Sequence, residues 1–372
     1  MRSKPAPPAL PAMAQMGEIV RPLLAWYRSR ARVLPWRQQP TPYRVWISEI
    51  MLQQTRVEAV KPYFDRFLAA LPTVQSLADT PEDVLLKLWE GLGYYNRARN
   101  LQKAAQRVVA DFGGALPADY DALLTLPGIG PYTAGAIASI AYGIAMPAVD
   151  GNVLRVVSRI LASPHDIAEP SVKEAVFARL QEILPPDAPG DFNQALMELG
   201  ATVCLPKSAA RCADCPVASL CLAKAQDAVA ALPVKAPKKA RRVEEKTVFL
   251  LLAGGRAALR KRPKRGLLAG LWELPHAEGR LSTAQARAYL AEQFGFTAQE
   301  LSPLPDAKHI FTHVEWHMSG YAAHAASPPA GQALHWVGVR ELADDFAVPS
   351  AFKPFTAHLR IGAAGCFGIS LF

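Results

Sequence analysis

Leu126-Pro127-Gly128-Ile129-Gly130-Pro131-Tyr132 separates two stretches of helical periodicity and begins the second of them. The two glycines allow a tight backbone turn, and proline is favoured at the first position of a helix. The amide groups at such a start have no helical partner, and the positive end of the helix dipole favours a phosphate there. A turn of this kind can hold a nucleic-acid strand without reading its sequence. Short Gly-x-Gly turns also form ordinary corners between packed helices, so the rest of the chain has to decide between the two interpretations.

Composition and charge are those of a basic, water-soluble chain. It has 372 residues, which suggests two domains, and 41 Lys and Arg against 32 Asp and Glu give a net charge of +9. This balance favours a polyanionic partner without proving one. No apolar run approaches the roughly eighteen residues that span a bilayer, and the Pro- and Ala-rich start is unlike a secretion signal. We therefore expect a cytoplasmic protein with no membrane partner.

The periodicity predicts two folded regions. Residues 1–17 are expected to be disordered, and residues 18–228 carry apolar residues at helical spacing without a convincing strand. Residues 229–246 are rich in Pro, Ala and cations, as a solvated linker is. Residues 247–372 mix strand and helix patterns, which predicts a mainly α region followed by an α+β domain. The clearest elements of that domain are two strands and a helix, at 247–253, 334–339 and 283–294.

Four of the five cysteines fall in one short stretch, at Cys204, Cys212, Cys215 and Cys221. Disulfides are improbable in a cytoplasmic chain, so clustered thiolates favour a metal site. Four thiolates can hold zinc or a [4Fe–4S] cluster, and their spacing does not separate the two. Unligated core cysteines are the remaining alternative, although packing alone gives no reason for such clustering.

In this order, the hairpin, Asp150 and the four cysteines resemble the helix-hairpin-helix, iron–sulfur DNA glycosylases related to endonuclease III. Leu34-Pro35-Trp36-Arg37, followed by Pro42 to Thr55, is similar to the adenine DNA glycosylases of the MutY family. The resemblance implies a helix-hairpin-helix six-helix barrel, an iron–sulfur helical domain with one [4Fe–4S] cluster, and a Nudix-like C-terminal domain. The first cysteine spacer is one residue longer than the family's usual spacing, which predicts a locally different loop.

Glu49 and Asp150 are the two carboxylates to which the resemblance assigns the chemistry. Cleavage of an N-glycosidic bond needs an acid that protonates the leaving base and an anion that stabilises the cationic sugar. Glu49 has apolar neighbours at three and four spacing, which should raise its pKa as a general acid requires. Asp150 precedes a helical pattern, where capping should keep it ionised. The alternatives are a solvated glutamate on a polar helix face and an aspartate that serves only as an N-cap.

Two further residues, Tyr132 and Asn152, are implied to support this pair by hydrogen bonds. Members of the superfamily that also cut the backbone carry a lysine where this chain has Tyr132. Without that amine no efficient Schiff base can form, so the chain should be monofunctional and leave an abasic site. The implied phosphate-binding hairpin residues are Gly128, Gly130 and Tyr132.

Base extrusion and base binding have their own implied residues. An adenine inside a duplex must rotate out of the stack, and another group must fill the gap. The implied wedge residues are Gln54 and Tyr94, although Tyr94 would also suit a packed core. The implied adenine pocket consists of Trp36, Arg37 and Gln194.

The C-terminal domain is expected to read the opposite base. The stretch Gly266 to Pro275 resembles a segment of Nudix-like domains, whose hydrolases need a glutamate-rich helix to hold a divalent metal. Residues 288–295 keep only Glu292 from that helix, so hydrolysis should be lost. The family's 8-oxoguanine-reading loop corresponds to Phe311, Thr312 and His313. Thr312 replaces a serine and keeps the hydroxyl, while a plain β-hairpin remains the alternative.

These residues predict a monofunctional glycosylase that removes adenine mispaired with 8-oxoguanine or guanine. Its implied partner is double-stranded DNA carrying those mispairs, and the protein should act as a monomer, associated with the nucleoid of a bacterium. Two alternatives stay open at this point. An endonuclease III-like glycosylase for oxidised pyrimidines would need the hairpin lysine. A non-enzymatic, zinc-bearing DNA-binding protein would use the cysteines and the basic surface without Glu49 and Asp150.

Overall fold

The computed structural model describes residues 16–237, 240–329, 333–361 and 367–369, so nearly all of the segment predicted to be disordered, and linker residues Lys238 and Lys239, lie outside the described residues. The chain forms two compact units. The first comprises residues up to Asp79 together with Arg99–Pro237. The second comprises Thr80–Ala98 and the residues from Lys238 onward. A segment from within the helical region therefore belongs to the C-terminal unit.

Residues 16–237 form helices and no strand, as the periodicity predicts. Thr41 caps the helix Pro42–Leu52 through its hydroxyl, which accepts from the Arg44 amide at 3.4 Å, and Pro42 occupies the first turn. Pro81 is the N-cap of the helix Glu82–Leu88 and is not part of its first turn. The α-helices of this part of the chain are α1 Val20–Arg30, α2 Pro35–Gln38, α3 Pro42–Leu52, α4 Val57–Ala70, α5 Val74–Asp79, α6 Glu82–Leu88, α7 Asn96–Phe112, α8 Tyr120–Leu124, α9 Pro131–Ala136, α10 Gly151–Ile160, α11 Pro170–Ile183, α12 Pro189–Thr202 and α13 Leu222–Ala225.

The hairpin joins α8 to α9, and its two glycines have different roles. Gly128 has φ +78°, and a Cβ there would lie 2.8 Å from the Cβ of Asn100, so only glycine fits. Gly130 is extended, with φ −97° and ψ −179°, and is the N-cap of α9, with Pro131 as the first residue of the helix. No atom lies within 4 Å of a Cβ built on Gly130. The turn itself therefore depends on Gly128. Gly130 instead leaves the space in front of the start of α9 open.

The second unit contains a mixed sheet. Its strands are β1 Arg242–Ala253, β2 Arg256–Lys261, β3 Trp272–Glu273, β4 His276–Glu278, β5 Glu300–Ile310, β6 Val314–Ala325 and β7 His335–Val337, followed by a separate hairpin of β8 Leu359–Ile361 and β9 Phe367–Ile369. The strand order is β3-β2-β1-β6-β5, with β4 beside β1 and β7 beside β2. β1 and β6 run parallel, with Val248 opposite Gly320, and the other pairs are antiparallel. The helices of this part are α14 Thr283–Phe294, α15 Val339–Asp344 and α16 Lys353–Thr356.

Both faces of β1 are covered, which explains its continuous apolar sequence. Side chains of a strand point alternately to opposite faces. Those on one face, Val248, Leu250 and Leu252, pack with Phe352 and Phe355. Those on the other, Phe249, Leu251 and Ala253, pack with Ala286 and Leu290 of α14. The predicted order of fold classes, a mainly α region followed by an α+β domain, is confirmed. No helix in the described ranges is both long and apolar enough to cross a membrane.

Candidate active site

A cavity of about 500 Å³ in the first unit brings together the predicted catalytic and adenine-pocket residues and one of the two predicted wedge residues. It is lined by residues from α2, α3, α9 and α12 and from the start of α10. The predicted residues that line it are Trp36, Arg37, Glu49, Gln54, Tyr132, Asp150, Asn152 and Gln194. The same cavity is also lined by Arg32, Met197 and Glu198, which sequence reasoning did not identify.

Glu49 is a nearly buried carboxylate on α3, with 6% of its surface exposed. Burial raises its pKa to about 7, and the negative charge of Asp150 adds to this, while a hydrogen bond from Tyr132 and the charge of Arg37 act in the opposite direction. The Tyr132 hydroxyl donates that bond to Oε2 of Glu49. A carboxyl group with this pKa is substantially protonated at neutral pH, so it can give a proton to a leaving group.

Asp150 caps α10 and faces the same cavity. Its Oδ1 accepts from the Val153 amide at 2.7 Å, and its Oδ2 accepts from Nδ2 of Asn152 at 2.8 Å. Burial raises the pKa of Asp150, although both hydrogen bonds lower it. From the sequence, capping was expected to keep Asp150 ionised. In the structure, burial outweighs the capping hydrogen bonds, so the net shift of its pKa is upward. The N-cap and the cavity-facing carboxylate are therefore two properties of one residue.

Asn152 is held in place by Arg155. The Arg155 Nη2 donates to Oδ1 of Asn152 at 2.8 Å and to the Gly200 carbonyl at 2.7 Å, while its Nε donates to the Cys204 carbonyl at 2.9 Å. A Cβ on Gly200 would lie 2.6 Å from that of Asn152, so α12 can approach only because residue 200 is glycine. These contacts orient the Asn152 amide so that its nitrogen faces Asp150.

The cavity also has a charged and hydrogen-bonded wall built around Glu198. Arg37 donates from Nε to Oε1 of Gln194 at 3.1 Å and from Nη2 to Glu198 at 2.8 Å. Arg32 donates from Nε to Glu198 at 2.6 Å. Burial would raise the pKa of Glu198, but hydrogen bonding from Arg32 and the charge of Arg37 lower it overall, so Glu198 is anionic.

This geometry has consequences for base binding. Because the Gln194 oxygen is occupied by Arg37, its amide nitrogen remains as a donor for a ligand. Trp36 supplies an aromatic wall, with its ring edge-on to Phe64 at a centroid distance of 5.5 Å. The signal that could have identified Glu198 is its position four residues after Gln194, on the same face of α12.

Gln54 and Tyr94, the predicted wedge residues, both have left-handed backbones, with φ +58° and +48°. Such a conformation in a residue other than glycine costs about 1–3 kcal/mol and is common at functional sites. In the second unit, Trp89 Nε1 donates to the Gly93 carbonyl at 3.2 Å, and Arg97 Nη2 donates to the same carbonyl at 3.1 Å. The Tyr94 side chain is 47% exposed. It is thus an exposed ring on a braced loop.

The predicted reading residues occupy the turn between β5 and β6 in the second unit. The Phe311 amide donates to the Val314 carbonyl at 2.9 Å, and the Phe311 ring packs against Trp316 with centroids 4.9 Å apart. Thr312 and His313 are exposed. The Thr312 hydroxyl donates to the Tyr94 hydroxyl at 3.3 Å, which brings together two residues that sequence reasoning had selected independently. Glu292 is exposed on α14.

The four clustered cysteines line one small cavity in the first unit, together with Arg159. Arg159 Nη1 donates to Sγ of Cys204 at 3.3 Å, and the Cys221 thiol donates to the Arg159 carbonyl at 3.4 Å. Burial raises the pKa of Cys215 to about 11. Within the described ranges no group of three or more His, Cys, Asp or Glu side chains has the geometry of a metal-ion site. Four thiols converging on one cavity are nevertheless a donor set that fits an iron–sulfur cluster.

Comparison with known proteins shows which families and relatives the chain resembles. Residues 47–186 match the HhH-GPD superfamily base excision DNA repair protein family, and residues 247–358 match the NUDIX domain family. The adenine DNA glycosylase of Rattus norvegicus is 36% identical over 91% of this chain and 78% of that protein. The structure of a thermostable thymine-DNA glycosylase matches 56% of this chain and 96% of its own at 29% identity, with a TM-score of 0.50. A trapped endonuclease III–DNA covalent intermediate matches 58% of this chain and 99% of its own at 25% identity, also with a TM-score of 0.50.

Proposed function

Because this chain belongs to the adenine DNA glycosylase family, we propose that it extrudes and hydrolyses adenine mispaired with 8-oxoguanine or guanine and leaves an abasic site. The observation that carries the proposal is the position of Glu49, buried with a pKa of about 7, in the same cavity as Asp150. A proton donor and an anion facing one cavity are what N-glycosidic cleavage requires.

In the proposed reaction Glu49 protonates adenine at N7. The bond between the sugar C1′ and adenine N9 then breaks with its electron pair passing to the base, so adenine leaves as a neutral molecule. Asp150 stabilises the resulting oxocarbenium ion until water adds to C1′. Tyr132 holds the Glu49 carboxyl by its hydrogen bond, and Asn152 orients Asp150. Trp36, with the Gln194 amide, would bind the extruded base.

The remaining residues would hold the DNA. The open start of α9, with Gly128, Gly130 and Tyr132, is suited to a phosphate, and Gln54 and Tyr94 would fill the space left by the adenine. The reading turn of Phe311, Thr312 and His313 would contact 8-oxoguanine. We propose that the protein binds as a monomer to double-stranded DNA carrying these mispairs, in a bacterial nucleoid.

The four cysteines would hold one [4Fe–4S] cluster. Bound there, the cluster would fix the loop between α12 and α13, whose longer first spacer contains a short 3₁₀ turn at Lys207–Ala209. Lys207 and Arg211 in this loop, with Lys224 in α13, make the region basic, which suits contact with a phosphate backbone. No step of the base-removal chemistry is assigned to it.

The raised pKa of Glu49 gives a prediction for pH. Its protonated form is the active one, so the single-turnover rate of adenine release should be sustained below pH 7 and fall as the pH rises through about 7. Single-turnover rates should be measured between pH 5.5 and about 9, with DNA binding followed in parallel to separate chemistry from affinity. A rate that stays constant across that range would show that Glu49 is not the acid.

Product analysis tests the proposed reaction itself. A duplex with adenine opposite 8-oxoguanine should yield free adenine and an intact strand that breaks only on treatment with alkali. Borohydride added during turnover should trap little protein on the DNA, because Tyr132 supplies no amine, whereas Tyr132→Lys provides a positive comparison. Efficient trapping of the native protein, or strand cleavage without alkali, would contradict the proposed monofunctional reaction.

A further inference from the structure

Lys87 and Glu90 form an anchor that lies outside the cavity and is not used by the proposed chemistry. The Lys87 Nζ donates to Oε2 of Glu90 at 2.7 Å and to the carbonyls of Phe346 at 3.0 Å and Leu342 at 3.3 Å. The other Glu90 oxygen, Oε1, accepts from the Val348 amide at 2.8 Å. The three ammonium protons of Lys87 thus have three acceptors, and both Glu90 oxygens are engaged.

The groups to which Lys87 and Glu90 hydrogen-bond belong to a well-packed segment of the second unit. Leu342, Phe346 and Val348 pack against the core on one face of the sheet. The Trp272 amide of β3 donates to the Ala347 carbonyl at 3.3 Å, and the Trp272 ring lies edge-on to Phe346 at 4.9 Å. Leu342 also lies in the last turn of α15, where carbonyls lack helical partners and a cation is favourable. Segment 342–348 is therefore a rigid support for Lys87 and Glu90.

Lys87 and Glu90 are close in sequence to the predicted wedge residue Tyr94. Glu90 precedes Tyr94 by four residues, and the intervening loop is braced by Trp89 and Arg97, which both donate to the Gly93 carbonyl. Arg97 also donates to the Leu92 carbonyl at 3.0 Å. A loop braced in this way moves as a unit, so a displacement of Glu90 would be transmitted to Tyr94.

Tyr94 also contacts the reading turn of Phe311, Thr312 and His313. Its hydroxyl accepts from Thr312 at 3.3 Å, and both side chains are exposed. A single contact between two exposed hydroxyls is weak, because water competes for both partners. The Thr312–Tyr94 contact therefore needs the charged anchor to hold the two loops at a fixed separation.

We infer that Lys87 and Glu90 are positioning residues that set the preference for the base opposite adenine, by holding the Tyr94 wedge in register with the Thr312 reading turn. This inference rests on the proposed function. Without the anchor, the reading turn can still contact an altered base, but that contact is no longer coupled to insertion of Tyr94. The loss should therefore fall mainly on the 8-oxoguanine substrate.

The test uses the full chain with Lys87→Met and Glu90→Gln. Loss of the charged hydrogen bonds should reduce the ratio of single-turnover rates, adenine opposite 8-oxoguanine over adenine opposite guanine, by about fivefold to tenfold. Lys87→Arg keeps donors for the carbonyls and should restore most of the ratio. Glu58→Gln, which removes an exposed Lys61–Glu58 pair on α4, is the matched control and should leave the ratio unchanged.

Hydrogen–deuterium exchange supplies a readout that does not depend on catalysis. Lys87→Met should accelerate exchange across residues 89–97 while the melting temperature stays within a few degrees of the native value. If exchange is unchanged, or if both rates fall by the same factor, the positioning role is wrong. If exchange accelerates in Lys87→Met but the native protein removes no adenine from either duplex, the proposed function is wrong. The structural role of Lys87 and Glu90 then still stands.

Discussion

Glu49→Gln is expected to bind a duplex with adenine opposite 8-oxoguanine at near-native affinity and to release adenine about a hundredfold more slowly, or slower still. The amide has nearly the same shape, and its oxygen can still accept the hydrogen bond from Tyr132, but it cannot donate the proton that makes adenine a neutral leaving group. Single-turnover rates and titration of labelled duplex separate the two effects.

Glu58→Gln is a suitable comparison for that experiment. Glu58 is an exposed residue of α4 paired with Lys61, so the same chemical change there should alter neither the rate nor the affinity. The acid role of Glu49 would be disproved by a Glu49→Gln protein that releases adenine at a nearly native rate.

Asp150→Asn should produce a comparable loss of rate with little loss of stability. Asparagine is about as good an N-cap as aspartate, so its side-chain oxygen can still accept from the Val153 amide. It carries no negative charge to stabilise the oxocarbenium ion, and we expect adenine release to fall by about a hundredfold or more. The melting temperature and the single-turnover rate should be measured on the same preparation.

Asp119→Asn provides the matched control for Asp150. Asp119 caps α8 in the same unit, through a hydrogen bond from the Ala122 amide at 2.7 Å, and it does not line the cavity. Both variants should keep their caps, but only Asp150→Asn should lose activity. A large drop in melting temperature with a native rate per folded molecule would reduce Asp150 to a structural cap.

Local patterns predicted much of the fold because they report directly on burial. The apolar run at 247–253 lies within β1, whose two faces are both covered, and the helical pattern at 283–294 coincides with α14. The strand predicted at 334–339 is shorter, as β7 His335–Val337. The start of α3 likewise depends on adjacent residues alone, because Thr41 caps the helix and Pro42 occupies its first turn.

Long-range pairing was not predictable from such patterns. The parallel pairing of β1 with β6 joins strands that are about 70 residues apart in sequence, and nothing near either strand specifies it. The inclusion of Thr80–Ala98 in the second unit depends on contacts such as that of Lys87 with Phe346. An amphipathic helix has the same sequence pattern whichever unit buries it.

The site residues divide in the same way, into those predictable from neighbouring residues in sequence and those that depend on distant contacts. The apolar neighbours of Glu49 on α3 indicated its burial and its raised pKa. Glu198 was missed because its partners, Arg32 and Arg37, lie more than 160 residues away in sequence. The upward shift of the Asp150 pKa was also missed, since the cap is visible in the sequence and the depth of burial is not.

The most direct test of the central claim compares three duplexes under single-turnover conditions, each treated with alkali to reveal abasic sites. They carry adenine opposite 8-oxoguanine, adenine opposite guanine, and an oxidised pyrimidine opposite guanine. We expect the first to be cleaved about tenfold or more faster than the second, because reading one altered base edge is worth about 1–3 kcal/mol, and the third to remain intact. Cleavage of the oxidised pyrimidine, or no adenine release from the first duplex, would contradict the assignment.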